Sequence, residues 1–112
     1  MGYNDLQSLL KDTVTTVRNV FGNIIEDIIL YGSYARGDYT EESDIDVALI
    51  MNLPRIELEK YYSAAASIMS DLSLEHDVFV SFSLIPSDEF NHYKESLPYY
   101  RNIVREGVEL SA

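Results

Sequence analysis

From Asp44 to Met51 the residues alternate, with Asp44, Asp46, Ala48 and Ile50 on one side and Ile45, Val47, Leu49 and Met51 on the other. A two-residue period is that of a β-strand, whose successive side chains point to opposite faces. The segment therefore commits the chain to a sheet and puts both aspartates on one face of it. The flanking segments set what surrounds that strand. From Leu6, apolar residues recur at Leu9, Leu10, Val14, Val17, Val20 and Phe21, the spacing of an amphipathic helix, which Gly22 and Asn23 stop. The run Ile24 to Tyr31 is rich in β-branched residues, and its second half, Ile28 to Tyr31, predicts a buried strand ending at Gly32. A turn-rich stretch follows, Gly32 to Ser43. After the break at Asn52-Leu53-Pro54, Ile56 to Leu72 predicts a second helix with Leu58, Tyr61, Tyr62, Ala65, Ile68, Met69 and Leu72 as its buried stripe. Asp77 to Leu84 alternates again and predicts a third strand with Asp77 at its start. Beyond the Pro86-Ser87 turn, Ser96 and Pro98 open a last helix that runs to about Glu106 and stops at Gly107. Strands alternating with helices predict an α+β or α/β domain, a small mixed β-sheet with helices packed against it.

At 112 residues the chain is expected to form a single domain, 1–112, without internal repeat or linker. The absence of cysteine excludes disulfide scaffolds and cysteine-based zinc sites. Against 19 Asp+Glu there are only 8 Lys+Arg, a formal charge of −11, which excludes bulk nucleic acid as a partner because binding to phosphates is driven by Lys and Arg displacing counterions. No apolar run approaches the roughly 20 residues of a membrane helix, and the first residues lack the basic start and apolar block of a secretory signal. The expectation is a soluble cytoplasmic protein.

The chemistry is concentrated in Gly32-Ser33-Tyr34-Ala35-Arg36-Gly37 and in the Asp44-Ile45-Asp46 that follows. Gly32 lets a ligand approach the backbone closely, and a short helix starting at Ser33 would aim its hydroxyl and free N–H groups at anionic oxygens. Asp44 and Asp46, about 6.5–7 Å apart at Cα on one strand face, can both reach a common metal. Their oxygen ligands suit Mg²⁺ or Mn²⁺. A third carboxylate on a neighbouring strand would complete a two-metal site, with ions about 3.5–4 Å apart. Asp77 is the candidate, on an odd-numbered face with Phe79 and Ser81, and Glu75 the alternative. Arg36, one helical turn past Ser33, could steady a phosphate or pair with Asp38 or Glu41. His76 and His92 lack metal spacing and read as structural or surface residues, while Tyr61, Tyr62, Tyr99 and Tyr100 read as a core boundary or a partner surface.

Gly32-Ser33, ten intervening residues and Asp44-x-Asp46 resemble the GSx10DxD signature of the DNA polymerase beta nucleotidyltransferase superfamily. The Gly-Ser-Tyr-Ala-Arg-Gly wording, and Arg101-Asn102-Ile103-Val104-Arg105-Glu106-Gly107 near the end, resemble its minimal nucleotidyltransferases (MNT), often paired with a HEPN-domain partner. The resemblance implies a polymerase beta-like fold and transfer of a nucleoside monophosphate, AMP in first place, from an NTP to a hydroxyl on a protein or small-molecule acceptor with release of pyrophosphate. It further implies that Gly32 and Ser33 hold the β- and γ-phosphates, that Arg36 steadies the triphosphate, that Asp44 and Asp46 bind both metals, and that Asp77 binds the catalytic metal and helps deprotonate the acceptor.

Larger members of the superfamily carry an added domain that grips the acceptor. The expectation here is an acceptor site shared with a second chain, either a HEPN-domain partner or another copy in a homo-oligomer, or an acceptor that is itself a protein. In this reading the chain works as an enzymatic antitoxin. The alternative is a non-catalytic antitoxin or nucleotide-sensing subunit that acts by occupying its partner.

Overall fold

The computed structural model describes residues 2–110. Helix α1 (Tyr3–Phe21) buries Leu9, Leu10, Thr13, Val17 and Phe21, and the Thr13 hydroxyl is satisfied by donating to the Leu9 carbonyl at 2.8 Å. A single 3-10 turn (Gly22–Ile24) leads into β1 (Ile25–Tyr31), followed by a one-turn helix α2 (Ser33–Arg36) and β2 (Ile45–Met51). Helix α3 (Arg55–Leu58), a second 3-10 turn and α4 (Tyr62–His76) carry the chain across to β3 (Val80–Pro86). Helices α5 (Ser87–Tyr93) and α6 (Pro98–Glu106) and the two-residue β4 (Val108–Glu109) complete the fold.

The sheet order is β3-β2-β1-β4, with β2 antiparallel to β1 and parallel to β3, and β4 antiparallel to β1. A parallel neighbour requires a crossover, and α3 and α4 supply it. On one sheet face Ile28, Leu30, Val47, Leu49, Val80 and Phe82 join the cluster buried by α1 and α4. On the other, Ile29, Ala48, Ile50 and Ile85 meet Phe90, Tyr100 and Ile103 of α5 and α6. Strand β2 is thus covered on both faces and buried at every position except Asp46, which is half-buried. Burial of hydrocarbon on both sides makes this strand the most constrained element of the fold.

Two sequence expectations are corrected. Helix α4 continues through His76, four residues past the expected end, so Asp77 does not open a strand. It caps the helix in the left-handed region (φ 53°, ψ 44°), with its N–H on the Ser73 carbonyl, a conformation that Asp tolerates better than most residues. Strand β3 starts three residues later. Its register still aligns the odd face with the aspartates, Ser81 standing beside Asp46 and Ser83 beside Ala48. The second correction concerns Tyr62, which is exposed rather than part of the buried stripe; its neighbour Tyr61 packs against the core instead.

Candidate active site

The candidate site lies where β1 ends and β2 and β3 begin. Tyr31, the last residue of β1, pairs with Asp46, and the chain then turns at Gly32 into α2. Gly32 has φ +79°, and the amide groups of Ala35 and Arg36 both donate to its carbonyl. A Cβ at Gly32 would lie 2.6 Å from Oδ2 of Asp46. The Gly-Ser turn and the aspartate strand are therefore in direct van der Waals contact, and only a residue without a side chain permits it. Gly32→Ala is expected to destabilise the chain by about 1–2 kcal/mol from the left-handed backbone alone, and further by displacing the Asp46 carboxylate. Urea unfolding measures this; an alanine variant as stable as the parent would contradict the close approach.

Gly37 closes α2 at φ 89°, and the loop beyond it is held in two ways. Tyr34, buried, stacks on Tyr39 with ring centroids 4.1 Å apart and planes within 10°. The Ser43 hydroxyl accepts the Thr40 N–H at 2.9 Å, and the Ile45 N–H reaches the Phe79 carbonyl at 2.8 Å. These contacts deliver Asp44, exposed, and Asp46, half-buried, to the mouth of β2. Burial raises the Asp46 carboxyl above its ordinary range, the charge of Asp44 raises it further, and Arg36 pulls in the opposite direction. Three of the residues singled out in the sequence thus share one electrostatic environment.

Arg36 is itself engaged by Asp38, through Nε at 3.1 Å, and by Glu106 of α6, through Nη1 at 3.2 Å. The expected pairing with Asp38 is present; Glu106, not Glu41, is the second partner. Asp77 lines an open cleft of about 420 Å³ together with Asp44, Glu41 and Glu42, while Asp46 stands outside that lining, against Gly32. The aspartates are therefore neighbours in two groups, Asp44 with Asp77 and Asp46 with Gly32. Among the described residues, the only His or carboxylate trio with ligand atoms all within 4.8 Å of one another is Asp12, Glu75 and His76. His76 Nε2 and the Asp12 carboxylate are 2.8 Å apart, tying α4 to α1, and Glu75 belongs to this pair rather than to the aspartates.

Sequence reasoning missed a ring of hydroxyls on the Asp46 face. Tyr31, Ser83 and Tyr99 are mutually bonded at 2.8–2.9 Å. Burial pushes the Tyr31 phenol well up, the Ser83 bond opposes this, and Tyr99 and then Asp46 add to it. Face alternation places Ser83 with Asp46, but no local signal brings in Tyr99, which lies 68 residues from Tyr31.

The family model for the nucleotidyltransferase domain matches residues 10–108. The chain belongs to the nucleotidyltransferase domain family. Nucleotidyl transfer, the reaction class implied by the Gly-Ser and Asp-x-Asp motifs, is the class of this family. Among its relatives, a provisionally named protein adenylyltransferase of Methanocaldococcus jannaschii is 31% identical over 101 residues, covering 90% of this chain and 93% of the relative. Protein adenylyltransferase MntA of Thermococcus cleftensis is 32% identical over 76 residues, covering 63% of this chain and 75% of the relative. Two solved structures share the nucleotidyltransferase fold. One is a toxin–antitoxin complex with AMP-PNP (TM-score 0.59, 21% identity, 90% of this chain and 71% of that one). The other is the tri-AMPylated Shewanella oneidensis HEPN toxin in complex with MNT antitoxin (TM-score 0.55, 20% identity, 93% and 70%). The α+β fold of this nucleotidyltransferase, with its mixed sheet, agrees with the architecture read from the sequence. No helix among the described residues is long and apolar enough to cross a membrane.

Proposed function

We propose that the chain is a single-domain cytoplasmic adenylyltransferase, 1–112, that moves AMP from ATP to a hydroxyl of a protein, acting as the antitoxin of a HEPN-domain partner. The observation that carries this reading is the contact between Gly32 and the Asp46 carboxylate, which joins a phosphate-approach turn to a carboxylate pair. The names of the relatives and of the solved complexes support AMP as the group and a protein as the acceptor.

The donor set fits Mg²⁺ or Mn²⁺. Its ligands are hard oxygens, and the upward push of Asp44 on the Asp46 carboxyl is a like-charge repulsion that a divalent cation would relieve. Asp44 and Asp46 would hold the metal, with Asp77 entering from the shared cleft. When bound, such an ion polarises phosphoryl oxygens and offsets the charge of the departing pyrophosphate. The protein's own part is positional. The Gly32 backbone and Ser33 receive the β- and γ-phosphates, and Arg36, held by Asp38 and Glu106 beside the turn, steadies the triphosphate. The acceptor oxygen bonds to the α-phosphorus as the bond to the bridging oxygen of the β-phosphate breaks. Its proton passes to a carboxylate, Asp77 in this assignment.

The test is label transfer with Mg²⁺ and ATP carrying label at either the α- or the γ-phosphate. The reading expects α-label on protein and none from γ-labelled ATP. Label from both would indicate retained ATP instead, and label from γ-labelled ATP alone would indicate phosphorylation. No transfer from a chain that still holds its partner would favour an antitoxin acting by occupation.

A further inference from the structure

Beside the Asp44–Asp77 cleft the structure has a second depression of different character. It is an apolar groove of about 360 Å³ on the outer side of α4 and β3, whose walls include Ala66, Met69, Leu74 and Phe79. The two depressions share Ser73, Leu74 and Phe79, so the groove adjoins the cleft. Leu74 is 81% exposed and Phe79 62% exposed, and neither contributes to the core. The backbone around them is fixed: the Phe79 carbonyl accepts the Ile45 N–H, and the Ser73 hydroxyl accepts the Val80 N–H at 2.9 Å. A water-facing Leu–Phe pair on a fixed backbone at the rim of a candidate active site is exposed apolar surface of the kind that marks an interaction site.

We propose that this groove docks the acceptor polypeptide, which seats an aliphatic or aromatic side chain over Leu74 and Phe79 and lays lysines or arginines along Glu41 and Glu42, the two cleft carboxylates that the metal and proton-transfer assignments leave free. The proposal rests on the protein-acceptor reading above and adds the chemistry of the segment that is recognised. Charge selects the occupant. The cleft lining holds four carboxylates and no cationic side chain, within a chain of net charge −11. A second copy would bring its own carboxylates against these, whereas a basic segment is attracted to them. Docking goes through side chains rather than by adding a strand to β3. Two of that strand's N–H groups are already taken, Val80 by Ser73 and Phe82 by Met69 Sδ at 3.1 Å.

The test compares the full chain with a Leu74→Glu/Phe79→Glu variant; both side chains face water, and circular dichroism together with ATP affinity checks that the fold and the nucleotide site are intact. In label transfer from α-labelled ATP to the proteins of a cell lysate, the double variant is expected to lose at least about tenfold while its affinity for Mg²⁺-ATP stays within about twofold. Transfer equal to that of the parent overturns the docking site and leaves the adenylyltransferase reading standing. Fluorescence anisotropy with a short synthetic peptide rich in leucine and lysine supplies a readout independent of catalysis. The parent chain binds it, the double variant binds it at least about tenfold more weakly, and the counterpart with glutamate for lysine does not bind. Equal binding by the parent and the double variant overturns the proposal, as does a homodimer in light scattering that the double variant dissolves. A parent chain that labels no protein yet binds the basic peptide through Leu74 and Phe79 refutes the transfer reading and supports the docking site.

Discussion

Asp46→Asn is expected to lower nucleotidyl transfer by more than about 100-fold, since changes to groups that merely support a metal ligand already cost about 10–100-fold. Asn keeps the shape of the side chain beside Gly32 but removes the charge needed to hold a divalent cation, so the loss belongs to chemistry rather than to folding. Stability should move the other way. The folded Asp46 carboxyl lies above its ordinary value of 3.8 because of burial and then Asp44. The native state therefore binds this proton more tightly than the unfolded chain, and ionisation of Asp46 opposes folding. The penalty is absent below the ordinary value, grows as pH rises through the raised one, and is constant at neutral pH. In chelator, Asp46→Asn should melt above the parent at neutral pH, with the advantage fading in acid. Added Mg²⁺ or Mn²⁺ should raise the parent's melting temperature but not the variant's. A variant that retains the full metal response would contradict the assignment of Asp46.

Leu49→Ala should produce the largest loss of stability. Leu49 is fully buried at the centre of β2, on the face covered by α1 and α4. Truncating a leucine in such a place costs about 2–5 kcal/mol, from lost transfer energy plus the cavity left behind. Against a domain stability of about 5–15 kcal/mol, that is a fall in melting temperature on the order of 10–20 °C. Because the same strand carries Asp46 at its start, transfer activity should follow the folded fraction and be nearly normal well below the new midpoint. A melting curve matching the parent's would contradict the burial of this position.

What could be read in advance was whatever is encoded locally. Strand β2 shows its period and its aspartates in eight consecutive residues, and Gly32 declares a turn by needing no Cβ. The first half of β1 was not legible because it carries Glu26 and Asp27 and a register shift between Ile25 and Asp27, which break the apolar run. Helix α5 has only seven residues behind Pro86, and its sequence reads equally well as a turn. Strand β4 exists only through pairing with Ile29 and Leu30, far back in the chain. The misplacement of Asp77 has a different origin. Its alternation with Phe79 and Ser81 is real, but the helical preference of Leu72 to His76 carries α4 onward and the left-handed cap takes up Asp77 before the strand begins. The Arg36–Glu106 pair and the Tyr31–Ser83–Tyr99 ring join residues 16–70 positions apart, and single-sequence patterns carry no information about such meetings.

The central claim is that the Gly32–Asp46 site transfers AMP to a protein partner. Its most direct test is the intact mass of a HEPN-domain partner co-expressed with this chain or with its Asp46→Asn variant. The account predicts a partner heavier by whole adenylyl units with the parent chain and unmodified with the variant. An unmodified partner in both cases, or equal modification in both, would contradict it.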